Sequence, residues 1–166
     1  MNVYMTHGTF DFLLKQKQKH TQEKIFLMQA NDSTLAYQES EGKSVFEEPR
    51  KYESFVSDGS IQEKGFVVMN NIPVTDEGRP IFETQFKSRA GSMAEVEGFQ
   101  ALRVLRPLHG NKYIVFVQWD KEESYKKWKN SQSFQKAHSS GKAKERPPYH
   151  AGPSYTNEYH MVDPDA

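Results

Sequence analysis

From Gly65 to Trp119 the chain alternates strand-length apolar runs with one helix-period segment, and this alternation narrows the available folds more than any other feature. Phe66, Val67, Val68, Met69 and Ile72 make a short apolar run that fits a buried strand over Gly65–Ile72. Thr75, Asp76 and Gly78 then punctuate the chain. Pro80 suits a helix first turn, where its missing N–H costs no hydrogen bond, and Ile81, Phe82 and Phe86 recur at helical spacing until Gly91. Phe99–Leu105 and Lys112–Trp119 are β-rich again, with Pro107 and a His109-Gly110-Asn111 turn between them, so they are read as a hairpin. Asp120 and Glu123 resemble a helix-capping pair, after which Tyr125 and Trp128 share a helix face. Ser131, Phe134 and His138 continue that spacing beyond a break near Asn130. Prolines then mark a loop over residues 146–153, and Ser154–Met161 returns to an extended strand. The order β-α-β-β-α-β predicts an α+β, ferredoxin-like module with helices on one face of an antiparallel sheet.

Such a sheet has a second face that must also be covered. We assign Val67, Met69, Val115 and Val117 to it. The first 60 residues are less regular: Val3–Met5, Lys24–Gln29 and Thr34–Gln38 read as strands and Phe10–Lys19 as a helix. Their Val3, Tyr4, Met5, Ile25, Phe26, Leu27 and Leu35 are apolar enough to supply the cover. Polar Ser57–Gly65 is the best boundary, giving an extension over 1–60 and a module over 61–166. In this reading the extension is a degenerate partner half that completes a pseudo-dimer within one monomeric chain.

Charge and composition remove several function classes. Basic and acidic residues both number 22, so the chain lacks the overall charge of a dedicated polyanion binder. Residues 121–146 hold eight basic side chains against three acidic ones, but no RNP-like strand motif accompanies them, so the segment reads as a solvated helix face without nucleic acid. With no cysteine there can be no disulfide or thiolate metal site, and the histidines show neither H-x-x-x-H nor H-E-x-x-H spacing. The N-terminus lacks a basic segment followed by an apolar run, and no window is apolar over the roughly 20 residues a membrane helix needs. A cytoplasmic protein without membrane contact is expected.

Trp119–His138 carries the most specific pattern, a Trp-rich strand end, a helix and the close Phe134-Gln135-Lys136-Ala137-His138. It resembles the corresponding region of IsdG-type heme-degrading monooxygenases, within the antibiotic biosynthesis monooxygenase (ABM) superfamily. Val67-Val68-Met69-Asn70-Asn71-Ile72 is similar to that family's first strand with its catalytic Asn, and Val96-Glu97-Gly98-Phe99 is similar to the E-G-F that opens its second strand. The similarity spans about residues 65–162 and leaves the first 60 unmatched, a layout that resembles the family's long form.

The resemblance implies that heme is both cofactor and substrate, opened oxidatively with O2 and electrons to release iron. Without a flavin or nicotinamide motif, the electrons are expected from an outside reductase or small-molecule reductant. It implies four site residues. His138 is the axial ligand to heme iron, a role one imidazole can fill because the porphyrin supplies the other four nitrogens. Trp128, by spacing alone an ordinary core aromatic, is expected to press on one edge of the porphyrin and distort it. Asn70, which by itself reads as a turn residue, is expected to donate a carboxamide hydrogen bond to O2 over the ring. Asn70 is preferred to Asn71 because Ile72 then falls where the family has an apolar residue two after its Asn. Phe86 matches a heme-facing aromatic, while Gln85 departs from the Arg that some members carry there. Two other functions stay open: a cofactor-independent monooxygenase acting on a quinone-like or polyphenolic substrate, and a heme carrier without turnover. The basic 121–146 segment is available to heme propionates, with no single lysine assigned.

Overall fold

The structure is a computed structural model that describes residues 1–131 and 149–163. Among the described residues there are eight strands and three helices: β1 (Asn2–Gly8), α1 (Phe10–Lys19), β2 (Lys24–Ala30), β3 (Ser33–Ser40), β4 (Arg50–Gly59), β5 (Phe66–Pro73), α2 (Arg79–Ser88), β6 (Phe99–Pro107), β7 (Lys112–Trp119), α3 (Glu122–Lys129) and β8 (Tyr155–Val162). The helical spacing expected over Phe134–His138 lies outside the described residues, and His138 with it.

The strands close into an antiparallel barrel in the order β1-β3-β2-β8-β5-β7-β6-β4. Read within the C-terminal half the order is β8-β5-β7-β6, which is the ferredoxin-like arrangement expected for a β-α-β-β-α-β chain. The N-terminal half has the equivalent order β4-β1-β3-β2, with residues 41–49 running from β3 to β4 without a helix. Each half closes on the other twice, through β4·β6 and β2·β8.

Register explains which side chains are inside. Met69 pairs with Phe116 and Val67 with Tyr159, and all four belong to one cluster with Val3, Met5, Leu35 and Tyr37. That cluster fills the barrel, each large side chain contributing about 1.5–3 kcal/mol of burial. Val68 pairs with Val117 and Asn70 with Val115, and the period of two puts these on the outer, helix-bearing face. The sequence reading of Val115 and Val117 as inner-face residues is therefore corrected; Ile114 and Phe116 fill the barrel instead. In the extension, likewise, Val3, Met5, Phe26 and Leu35 enter the barrel, while Tyr4, Ile25 and Leu27 pack outside it with Leu13 of α1.

A second correction concerns β4. The stretch taken as a linker from Ser57 begins as strand, paired through Gly59 with Ala101. A register shift between Ser54 and Val56 breaks the alternation that would have betrayed it. Inside the barrel, Arg103 of β6 donates from Nε to Glu39 of β3 at 2.8 Å, and Tyr37 donates to the same carboxylate at 2.8 Å. This buried pair spans the two halves, and Arg103 also donates to the Asp58 and Leu102 carbonyls. No helix among the described residues is long and apolar enough to cross a membrane.

Candidate functional site

The outer face of β5 and β7 carries α2 on one side and α3 on the other. Asn70, Val115 and Val117 are half-buried there, Phe86 of α2 packs with Phe82 on one side, and Trp128 of α3 packs on Trp119 on the other. Phe82 and Phe86 ring centroids lie 4.7 Å apart, and those of Trp119 and Trp128 5.5 Å apart. Asn70, Phe86 and Trp128 are thus gathered on one face of one sheet. Trp119 is a core residue, as its strand-end position suggests, and its buried Nε1 has no hydrogen-bond partner among the described residues.

The neighbouring asparagines have different environments. Asn71 is turned into the barrel, where its Nδ2 donates to Asn157 Oδ1 at 2.9 Å and to the Tyr155 carbonyl at 3.2 Å. Asn70 lies on the outer, helix-bearing face, and its side chain makes no hydrogen bond among the described residues.

Both helices are pinned by contacts the sequence did not reveal. Glu83 of α2 binds Arg106 through both oxygens and accepts a short hydrogen bond from the Tyr113 hydroxyl; Arg106 also pairs with Glu53. Hydrogen bonding from Arg106 holds the Glu83 carboxyl below its ordinary value of 4.5, while burial followed by the Glu83 contact pushes the Tyr113 phenol up. A carboxyl with a lowered folded pKa stabilises the fold above its unfolded value and loses that contribution as pH falls through the folded one. Melting temperature should therefore drop as pH is lowered below about 4.5, and Glu83→Gln should flatten that dependence. Unchanged acid sensitivity in the variant would remove Glu83 from this role.

At α3 the expected Asp120–Glu123 cap is not formed: Lys121 occupies the N-cap without a side-chain bond, and Asp120 instead accepts from the Ser124 hydroxyl. The Asp120 amide donates to the Gly98 carbonyl at 2.8 Å. Gly98 has φ +85°, and a Cβ there would stand 2.5 Å from the Ser124 side chain. The glycine of the Glu97-Gly98-Phe99 motif is thus needed for the close approach that seats the helix bearing Trp128. Of the lysines on α3, Lys126 pairs with Glu122 at 3.0 Å and Lys127 with Glu97 at 3.3 Å. Among the described residues no group of three or more His, Cys, Asp or Glu could hold a bare metal ion.

The fold is an antiparallel α+β barrel with two ferredoxin-like halves. Residues 65–140 match the family described as antibiotic biosynthesis monooxygenase. The chain is 32% identical to a heme-degrading monooxygenase of Listeria monocytogenes, over 78% of this chain and 77% of the relative. The solved structure of a heme-degrading enzyme from Listeria monocytogenes superposes with a TM-score of 0.75 at 28% identity, covering 96% of this chain and 99% of that one. A signal transduction protein, TRAP, of Staphylococcus epidermidis is 28% identical over 81% of this chain and 80% of its own. The chain belongs to the antibiotic biosynthesis monooxygenase family, in its IsdG-type branch.

Proposed function

We propose that this protein is a heme-degrading monooxygenase, opening the porphyrin oxidatively with O2 and electrons from an external donor and releasing iron. The observation that carries the reading is the gathering of Asn70, Phe86 and Trp128 on the outer face of β5 and β7, in a chain 32% identical to a heme-degrading monooxygenase. An apolar floor with aromatic walls suits a flat macrocycle, and a single uncommitted amide suits one polar contact above it. In this proposal heme is the substrate, and its iron supplies the reaction with O2. The chain's residues do the rest: His138 ligates, Trp128 presses on one ring edge, Phe86 walls the opposite side, and Asn70 offers an N–H over the ring.

The difference between the two asparagines supports Asn70, since the carboxamide of Asn71 is already engaged inside the barrel. Asn70→Ala should retain heme binding and slow degradation by at least about tenfold, the worth of one hydrogen bond near 1.4 kcal/mol. Asn71→Ala should instead lower thermal stability. Slowed turnover in Asn71→Ala with none in Asn70→Ala would move the role by one residue.

The extension belongs to the same proposal: its strand order and its two seams with the C-terminal half support a degenerate partner half, with a monomer as the working unit. A Soret titration followed by reductant in air tests the function. Bleaching with iron release is expected; a stable reduced band would make the protein a carrier, and no band would favour the heme-free monooxygenase.

A further inference from the structure

Trp119 ends β7 beyond Val115 and Val117, and the period of two places it on the same outer face as Asn70. Its side chain is 1% exposed. Ring centroids of Phe99, Tyr125 and Trp128 stand 6.5, 6.1 and 5.5 Å from it, and Phe66 and Val68 complete the same cluster. Its backbone is paired with Phe66 on one side and Phe99 on the other, so the indole stands on a strand anchored at both edges.

Trp128 has weaker means of its own. α3 is an eight-residue helix, too short to hold its shape without tertiary contacts, and Lys121 at its N-cap makes no side-chain bond. Ser124 is its one buried residue. The close approach of Ser124 to Gly98 and its bond to Asp120 fix the start of the helix. Trp128 stands in the last turn, where its indole meets the Trp119 ring, and Tyr125 one turn earlier rests on that ring too. Both aromatic side chains of α3 therefore lean on a single side chain of the sheet.

The Nε1 hydrogen of Trp119 is buried without an acceptor among the described residues. An unpaired buried donor is a cost that phenylalanine or leucine at this place would not carry. What tryptophan adds is the broadest of the side-chain planes, placed where Trp128 rests.

We infer that Trp119 is the positioning residue for Trp128, an aromatic backstop on β7 that fixes where the Trp128 indole stands over the outer face. Its consequence for the reaction rests on the proposed function: a side chain presses on a ring edge only as firmly as it is backed, so without Trp119 the Trp128 indole yields and the macrocycle is less distorted.

Trp119 and Trp128 are the two tryptophans of the chain, so the full-length protein labelled with 5-fluorotryptophan gives two 19F resonances, assigned with Trp128→Phe. Trp119→Leu and the milder Trp119→Phe are compared with Phe66→Leu, which removes another buried ring of the cluster, one that meets Tyr125 and His160. Without heme, both Trp119 variants should narrow the Trp128 resonance, the sign of a more mobile indole, whereas Phe66→Leu should lower the melting temperature and leave that linewidth as in the parent. With heme, the out-of-plane resonance Raman bands should weaken in the Trp119 variants, and degradation should slow about tenfold in Trp119→Leu while heme affinity changes less than about threefold. Should Trp119→Leu not fold, Trp119→Phe decides. If the parent neither binds nor degrades heme, the proposed function fails, and the Trp128 linewidth still decides the positioning role. A Trp128 resonance as broad in the Trp119 variants as in the parent, or narrowed equally by Phe66→Leu, would overturn the inference, as would unchanged Raman bands and degradation in the Trp119 variants of a heme-degrading parent.

Discussion

His138→Ala should abolish both the histidine-ligated heme spectrum and turnover. Axial ligation is all-or-none at one position, because the porphyrin leaves a single protein ligand to be supplied on that side. The other histidines lie at several places in the fold. His7 has inward parity at the barrel end, His20 follows α1, His109 is in the β6–β7 turn, His150 stacks on Tyr149, and His160 lies against Phe66 near Glu122. His160 has outer-face parity opposite Phe66, four residues along β5 from Asn70. An absorption spectrum and an iron-release assay check the expectation together. A variant that binds and degrades heme like the parent would displace His138 from the ligand role.

Deleting residues 1–60 should produce aggregation or a new dimer, whereas the full chain should sediment near its mass of 19.2 kDa. The deletion removes β1–β4, half of the closed barrel. It bares Val67, Met69, Leu105, Ile114 and Phe116, which form one continuous inner face of the remaining sheet. Arg103 would lose Glu39 as well, and breaking a buried pair by removing one partner costs about 3–5 kcal/mol. The free edges of β6 and β8 would add unpaired backbone groups, a template for association. A truncated chain that remains monomeric and folded, or a full-length dimer at micromolar concentration, would contradict the extension's role as internal cover.

The elements that sequence disclosed well were those with an intact period. α1 appears with the bounds that helical spacing indicates and β7 with those of its continuous β-rich run, because neither is interrupted by a bulge. β4 was hidden for the opposite reason: the shift between Ser54 and Val56 spoils its period, and its end is polar enough to pass for a linker. The facing of Val115 and Val117 was misread because a continuous apolar strand has no polar side to mark its exterior. Asn70, Phe86 and Trp128 were found through motif spacing, while their common face is a property of register between β5 and β7 and of two helices packed on it. The Glu83–Arg106–Tyr113 contacts and the Arg103–Glu39 pair join residues far apart in the chain, and no local pattern announces such meetings.

The two seams that close the barrel are unequal. β4 and β6 are paired from Tyr52–Pro107 to Gly59–Ala101, but among the described residues β2 meets β8 only at Leu27–Val162, Met28–Met161 and Gln29–His160, and the tight turn after Ala30 carries the chain away into β3. The first half of β8 is consequently an edge on that side, where Tyr155 and Glu158 line a cavity with His7, Ala30, Ser33 and Arg50. A ring of strands with one short weld has a preferred place to part. Fluctuations that admit solvent to the interior should begin there, before the longer seam yields, so the barrel has a built-in direction of opening even though its two halves are joined too intimately to swing apart as domains.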